Sequence, residues 1–312
     1  MNAVRIHQHG GPEVLEYQSV PRPRIEDDEV LVEVRACALN HLDLWTRSGH
    51  RGAHKVTVEL PRILGTDVAG VVREVGAKAS PYGYPAIGDR VLLYPGCGCG
   101  VCSWCLRGQD NYCSRYRSLG SELDGGYAEW TVVPGRAVLP MPNHLNFVEA
   151  SCLPLTYLTA WQMLVRKAAV RLGEDVLINA IGSGVGTAAL QIAKIHGARV
   201  LATASSEQKL EKALAAGADE AIAYATGAFA EAVCRLTNGK GADVVIDSVG
   251  SWTFKESIEC LAVGGRIASC GATAGAAVEI DLHALQAKRA SFYFTVMGSQ
   301  SDLLDATRMV QQ

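Results

Sequence analysis

The chain has 312 residues, 48% of them hydrophobic, and 29 basic residues against 32 acidic ones give a net charge of −3. This charge balance argues against a nucleic-acid or membrane binder, and the high hydrophobic content argues against a disordered chain. No apolar run approaches the roughly 18 residues of a membrane span, and residues 1–7 lack the apolar core of a signal peptide. At about 150 residues per domain, these features predict a two-domain cytoplasmic protein.

The first part of the chain, residues 1–145, is predicted to be a compact β domain. It contains short runs of β-branched residues that alternate with polar ones and end at glycine, proline or aspartate, a pattern typical of half-buried strands. These strands are predicted at 29–34, 69–76, 89–93 and 128–133. Their close spacing indicates a barrel-like fold.

The second part, residues 146–312, repeats a pattern of strand, turn and helix. Strands are predicted at 175–180, 199–203, 242–247 and 265–269, with helices at 187–196 and 207–216. Alternation of this kind predicts a doubly wound parallel sheet, an α/β fold of the Rossmann type. Residues 291–296 are apolar and aromatic and predict a sixth strand at the sheet edge.

Four cysteines have the spacing C-x2-C-x2-C-x7-C: Cys99, Cys102, Cys105 and Cys113. In a reducing compartment such a cluster indicates metal rather than disulfides. Four thiolates close a tetrahedral zinc site and leave no open position, so the predicted zinc is structural. The predicted zinc lobe covers about residues 95–115, and the nearby Cys97 is interpreted as a bystander.

A glycine-rich turn stands between the first predicted strand of the second domain and the helix that follows. The residues predicted to hold the pyrophosphate of a dinucleotide are Ser183, Gly184, Val185 and Gly186. Backbone N–H groups and a helix N-terminus bind such a group there. Because the turn departs from G-x-G-x-x-G, an ordinary tight turn is the alternative interpretation.

The end of the second strand distinguishes NAD from NADP. NAD sites place an acidic residue there to bind the ribose 2′-hydroxyl, but this chain has Ala204. Ser205 and Lys209 follow and suit a 2′-phosphate, which predicts NADP(H). The alternative is that Ser205 only caps the next helix, with Lys209 on its solvated face.

Several stretches together resemble the zinc-containing alcohol dehydrogenase superfamily, the medium-chain dehydrogenase/reductases, and especially its quinone-oxidoreductase-like branch. Besides the cysteine lobe, they are residues 10–15, 36–43, 64–70, 154–161 and 241–247. The resemblance implies a GroES-like domain followed by a Rossmann domain, with the active site in the cleft between them. It also implies a small-molecule substrate, a homodimer or tetramer built on the Rossmann edge strand, and cofactor contacts from Thr156 and Tyr224.

The same resemblance shows a departure at the family's catalytic zinc. The family has Cys where this chain has Asn40, His where it has Thr66, and a third ligand near 154–156, where no Cys or His stands. Retention of only the structural zinc fits zinc-independent reductases of quinones or α,β-unsaturated carbonyls. Asn40 is the first candidate for a donor to the developing oxyanion and Thr66 the second, with Asp43 and Asp67 orienting the site.

Two other functions stay open at this stage. An unusual metal site built from His41, Asp43 and Asp67 would make the protein a zinc-dependent alcohol dehydrogenase. A protein that binds NADPH without catalysis is the second alternative, because the family's final C-terminal strands are expected to be missing from a sequence that stops at Gln312.

Overall fold

The computed structural model describes residues 1–224 and 229–311, and the chain divides into two compact units. Unit 1 comprises Met1–Leu158 together with the segment that begins at Ser299, and unit 2 comprises Thr159–Gly298. The domain boundary between residues 145 and 146 stays a prediction.

Unit 1 is built mainly of short antiparallel strands. Its strands are β1 Asn2–Ile6, β2 Glu16–Ser19, β3 Glu29–Ala38, β4 His50–Arg51, β5 His54–Lys55, β6 Arg62–Ile63, β7 Asp67–Val75, β8 Arg90–Leu93, β9 Gly96–Cys97, β10 Arg117–Ser118, β11 Trp130–Pro134 and β12 Val138–Pro140. A five-stranded sheet has the order β11-β3-β7-β8-β12, and a three-stranded sheet has the order β2-β1-β6. Both are antiparallel, and apolar side chains of β3, β7 and β8 form the core.

Short helices interrupt and follow these strands: α1 His41–Ser48, α2 Ser103–Leu106, α3 Phe147–Ser151 and α4 Pro154–Trp161. Helix α1 starts directly after Asn40 and ends at Gly49, whose φ of 75° is the left-handed conformation that terminates a helix. This arrangement places the start of α1 immediately after β3.

Unit 2 is a six-stranded parallel sheet in the order β15-β14-β13-β16-β17-β18. The strands are β13 Asp175–Ile178, β14 Arg199–Ala204, β15 Glu220–Ala223, β16 Ala242–Asp247, β17 Leu261–Ser269 and β18 Ser291–Phe294. The helices are α5 Gly184–Ile195, α6 Glu207–Ala215, α7 Ala230–Leu236, α8 Ser251–Glu259 and α9 Leu282–Lys288, and a π-helical turn covers Gln162–Lys167. The central strands β13, β14 and β16 are rich in apolar residues and almost wholly buried, as expected for a parallel sheet covered on both faces.

After unit 2 the chain returns to unit 1 as helix α10, Gln300–Gln311. Leu303 and Ala306 on its inner face are fully buried. Within the described part of the chain, no helix combines the length and the apolar character needed to cross a membrane.

Candidate active site and cofactor loop

The register of two neighbouring strands brings Asn40 and Asp67 together. In the antiparallel pairing of β3 with β7, Ala38 lies opposite Asp67, so the residues that follow β3 reach the start of β7. Asn40 follows two residues after Ala38, and its Nδ2 donates to Asp67 Oδ2 at 2.8 Å. Two positions 27 residues apart in the sequence therefore form one polar contact.

The Asp67 carboxylate also binds the start of helix α4. Its Oδ1 accepts a hydrogen bond from the backbone N–H of Leu155 at 2.7 Å. The side chain is fully buried, and desolvation raises its pKa to about 7 even though both hydrogen bonds stabilise the charged form. Asp67 thus joins Asn40, after β3, to Leu155, at the start of α4.

Asp43 organises the surrounding backbone. Its Oδ2 accepts from the Asn40 N–H at 2.8 Å, and its Oδ1 accepts from the Gly65 N–H at 3.1 Å and from Thr66 Oγ1 at 3.3 Å. Burial raises the pKa of Asp43, and these hydrogen bonds oppose the rise. Gly65 has a φ of 100°, and a Cβ there would lie 2.6 Å from the Tyr127 ring, so only glycine fits.

The four predicted catalytic residues Asn40, Asp43, Thr66 and Asp67 therefore form one hydrogen-bonded cluster, although their roles stay predictions. His41 is exposed, whereas Asp43 and Asp67 are buried. Within residues 1–224 and 229–311, the four lobe cysteines are the only group of at least three Cys, His or carboxylate residues placed to hold a metal. Nothing in this geometry supports the alternative metal site of His41, Asp43 and Asp67.

Sequence reasoning missed three parts of this cluster: the Leu155 N–H, Cys37 and Tyr127. Burial and the charges of Asp67 and Asp43 raise the pKa of the Cys37 thiol far above its usual range. Burial and Asp43 have the same effect on the Tyr127 phenol. Cys37 lies within a stretch that carries the family resemblance, but a backbone donor such as the Leu155 N–H leaves no signal in residue types.

The four predicted zinc ligands converge in the lobe. All four sulfur atoms lie within 4.8 Å of one another; Cys102 and Cys105 are 3.6 Å apart, and Cys99 and Cys105 are 4.0 Å apart. A tetrahedron with Zn–S bonds of about 2.3 Å has S–S edges of about 3.8 Å, so this donor set fits zinc. Cys113 also accepts from the backbone N–H groups of Cys99 and Arg115, as expected for a thiolate. Cys97 is buried and lies outside the group.

The glycine-rich turn lies between β13 and α5, as predicted for the residues that would hold a pyrophosphate. Ser183 is the N-cap of α5, and its Oγ accepts from the Gly186 N–H at 3.0 Å. A Cβ at Gly186 would lie 2.7 Å from the Ala180 carbonyl oxygen, so this glycine permits the close packing of helix against strand. Gly184 and Val185 form the first turn of α5, whose free N–H groups suit a phosphate.

The residues predicted to select the dinucleotide lie at the end of β14. Ala204 is buried, whereas Ser205 and Lys209 are exposed. The Lys209 side chain passes over the glycine turn, because a Cβ at Gly182 would lie 2.9 Å from Lys209 Cδ. Ser206, not Ser205, occupies the N-cap position of α6, which removes the capping interpretation of Ser205.

The two remaining predicted cofactor contacts lie apart from this group in the sequence. Tyr224 follows β15, and its N–H donates to the Ala204 carbonyl at 3.2 Å, so it stands beside the end of β14. Thr156 lies at the start of α4 in unit 1, and its hydroxyl donates at 2.6 Å to the carbonyl of Cys152, which follows α3.

Comparison with known proteins agrees with this architecture. Residues 26–143 match the alcohol dehydrogenase GroES-like domain, and residues 184–312 match the zinc-binding dehydrogenase family. Quinone oxidoreductase of Mus musculus is 33% identical over 277 residues, which cover 87% of this chain and 73% of that protein.

Two further relatives are described as NAD-dependent alcohol dehydrogenases. The one from Saccharolobus solfataricus is 33% identical and covers 100% of this chain, which in turn covers 89% of it. The other is a solved crystal structure whose sequence is 45% identical to this chain. It superposes with a TM-score of 0.93, and the match covers 100% of this chain and 89% of the chain in that structure. The predicted GroES-like and Rossmann folds are confirmed, and the chain belongs to the medium-chain dehydrogenase/reductase superfamily, as a quinone-oxidoreductase-like oxidoreductase.

Proposed function

We propose that this protein transfers hydride from NADPH to a quinone or an α,β-unsaturated carbonyl compound without a catalytic zinc. The observation that carries the proposal is the Asp67 carboxylate, which joins Asn40 to the Leu155 N–H. Asn40 and Thr66 stand at two of the family's ligand positions, and no Cys or His stands near the third, at 154–156. Such a set does not provide the ligands of a catalytic zinc. A conjugated carbonyl accepts hydride without a Lewis acid, provided that a donor stabilises the developing oxyanion.

Asn40 is the donor that we propose for this role. Its amide has two N–H bonds, and the contact with Asp67 uses one of them. Asp67 therefore fixes the amide plane while the second N–H stays available for a substrate oxygen. The Thr66 hydroxyl instead donates to Asp43, which commits it to holding the loop. A bound dinucleotide would supply the hydride.

NADPH is the proposed reductant because no carboxylate stands at the end of β14. Lys209 lies in the first turn of α6, just after the end of β14, and supplies a positive charge beside the strand end where a 2′-phosphate is expected. Two of the relatives are described as NAD-dependent, so the preference has to be measured on this protein rather than transferred.

We also propose one structural zinc, bound by Cys99, Cys102, Cys105 and Cys113. Four cysteines gathered at metal-ligand distances, rather than paired in disulfides, support a reducing, cytoplasmic location. A homodimer through β18, or a tetramer of two such dimers, is proposed because β18 is the sheet edge and Phe294 on it is 71% exposed. Sedimentation that finds only monomers at micromolar concentration would contradict this assembly.

The decisive experiment compares quinones, enones and primary and secondary alcohols, each with both dinucleotides in the appropriate redox state. We expect NADPH-dependent reduction of a quinone or an enone that survives treatment with a weak chelator. Alcohol oxidation that needs a second metal ion per chain would support a zinc-dependent alcohol dehydrogenase instead. Tight NADPH binding with no turnover of any compound would support the non-catalytic alternative.

A further inference from the structure

The N-terminus of helix α10 is attached directly to the zinc lobe. The Gln300 N–H donates to Asp110 Oδ1 at 3.0 Å, and Ser301 Oγ donates to the Gly108 carbonyl at 3.4 Å. Both lobe residues lie between Cys105 and Cys113, in the part of the chain that four thiolates enclose. The lobe therefore provides a contact surface for a helix that is distant in sequence: Asp110 and Gln300 are 190 residues apart.

Asp110 contributes a carboxylate where α10 needs one. The first N–H groups of a helix have no partner within it, and a negative charge near them stabilises the helix. Ser299 and Asp302 cap each other at this end, with Ser299 Oγ donating to Asp302 Oδ2 at 2.9 Å. Both are buried, so the helix end is docked rather than solvated.

The other end of α10 reaches the packing layer behind the candidate active site. Val310 packs against a buried cluster that contains Ala69 and Leu153. Ala69 lies two residues after Asp67 on β7, and Leu153 lies two residues before Leu155 at the start of α4. Helix α10 thus contacts the zinc lobe at its first residues. Near its last residues it packs against the cluster of Ala69 and Leu153, which are close in sequence to Asp67 and Leu155.

We propose that α10 transmits the order of the zinc lobe to the Asn40–Asp67 cluster, with Asp110 as the positioning residue that couples lobe and helix. The metal orders the lobe and thereby keeps Asp110 at the helix N-terminus. The docked helix in turn keeps Val310 against Ala69 and Leu153. This inference rests on the structural zinc of the proposed function, but not on the identity of the substrate.

Amide hydrogen exchange on the full-length protein tests the coupling without measuring activity. Mass spectrometry reports on α10, and NMR reports on the Leu155 amide, in the zinc-loaded and chelator-stripped protein. Stripping should raise exchange in α10 by about tenfold or more and exchange at Leu155 by about fivefold. Asp110→Ala should raise α10 exchange by about fivefold while zinc content stays the same. Gln109→Ala, which changes the exposed neighbouring side chain, should leave both unchanged.

The outcomes separate this coupling from the zinc itself. If the stripped protein has lost zinc and α10 and Leu155 exchange as before, the coupling is overturned. If Asp110→Ala keeps both zinc and normal α10 exchange, Asp110 is not the link. If the purified protein holds no zinc and takes up none, the zinc proposal fails, and so does the comparison of loaded with stripped protein. The exchange of α10 in Asp110→Ala then still decides whether the lobe holds α10.

Discussion

Asn40 Nδ2 lies 2.8 Å from Asp67 Oδ2, so one hydrogen bond joins the residues that follow β3 to the start of β7. Asp67 is fully buried, accepts hydrogen bonds from the Asn40 amide and the Leu155 N–H, and has Asp43 nearby as a second buried acid. The expected consequence is a carboxyl group that holds its proton to unusually high pH. That property distinguishes the site from a solvated aspartate and can be measured.

Replacement of Asn40 by alanine should lower the rate of reduction much more than it affects the fold. Loss of one preorganised donor to an oxyanion costs about 10²–10³ in kcat, so we expect a decrease of that order for Asn40→Ala. Steady-state kinetics with the preferred quinone or enone would measure it. His41→Ala changes the exposed neighbour and should retain most of the activity. Equal kcat values for the Asn40 variant and the unmodified protein would eliminate Asn40 as the donor.

The raised pKa of Asp67 predicts a pH-dependent contribution to stability. Its pKa is about 7 in the folded protein, against about 3.9 when unfolded. Between these values the folded state keeps a proton that the unfolded state has lost, so the free energy of unfolding falls as pH rises. The full difference corresponds to on the order of 4 kcal/mol. Urea denaturation at about pH 4 and about pH 7 would measure the decrease.

Asp67→Asn is the matched control for that measurement, because an amide has nearly the same shape and does not titrate. Its stability should decrease less than that of the unmodified protein over the same interval. The titratable groups facing Asp67 are Asp43, Cys37, Tyr127 and Cys152, and all four are present in both proteins. If the free energy of unfolding depends on pH in the same way in both proteins, Asp67 does not retain its proton in the folded state over this interval.

The strands and helices could be predicted from the sequence because each depends on the spacing of apolar residues within a short stretch of chain. The predicted strand at 242–247 coincides with β16, and the predicted helix at 207–216 differs from α6 by one residue. The contacts of Asp67 were not predictable in the same way. They depend on the β3–β7 register and on a backbone N–H at Leu155, and neither is encoded in the type of a single residue. The attachment of α10 to Asp110 depends on the return of the chain to unit 1, which strand and helix patterns do not specify.

The cysteine lobe should contain about one zinc per chain. Cys102→Ser removes one of four thiolates, and we expect it to lose zinc because a closed tetrahedral site depends on all four ligands. Metal analysis by mass spectrometry would measure the content. Cys97→Ser is the control, since Cys97 lies outside the group of four. Full zinc content in Cys102→Ser, or an equal loss in Cys97→Ser, would show that the ligand set is different.

The last prediction concerns the dinucleotide: NADPH should bind more tightly than NADH, and Lys209 should account for much of the difference. Lys209 is exposed in the first turn of α6, just after the end of β14, and buried Ala204 offers no carboxylate that would repel a 2′-phosphate. A hydrogen bond to a charged group contributes about 1.5–3 kcal/mol, and solvent exposure of Lys209 favours the lower end. Lys209→Ala should therefore weaken NADPH by about tenfold and change NADH by less than about twofold. Lys212→Ala, an exposed lysine on the same helix, should alter neither dissociation constant, which fluorescence titration would measure. Equal dissociation constants for the two dinucleotides in the unmodified protein would refute the NADP(H) assignment, and the alanine at the end of β14 would then have another explanation.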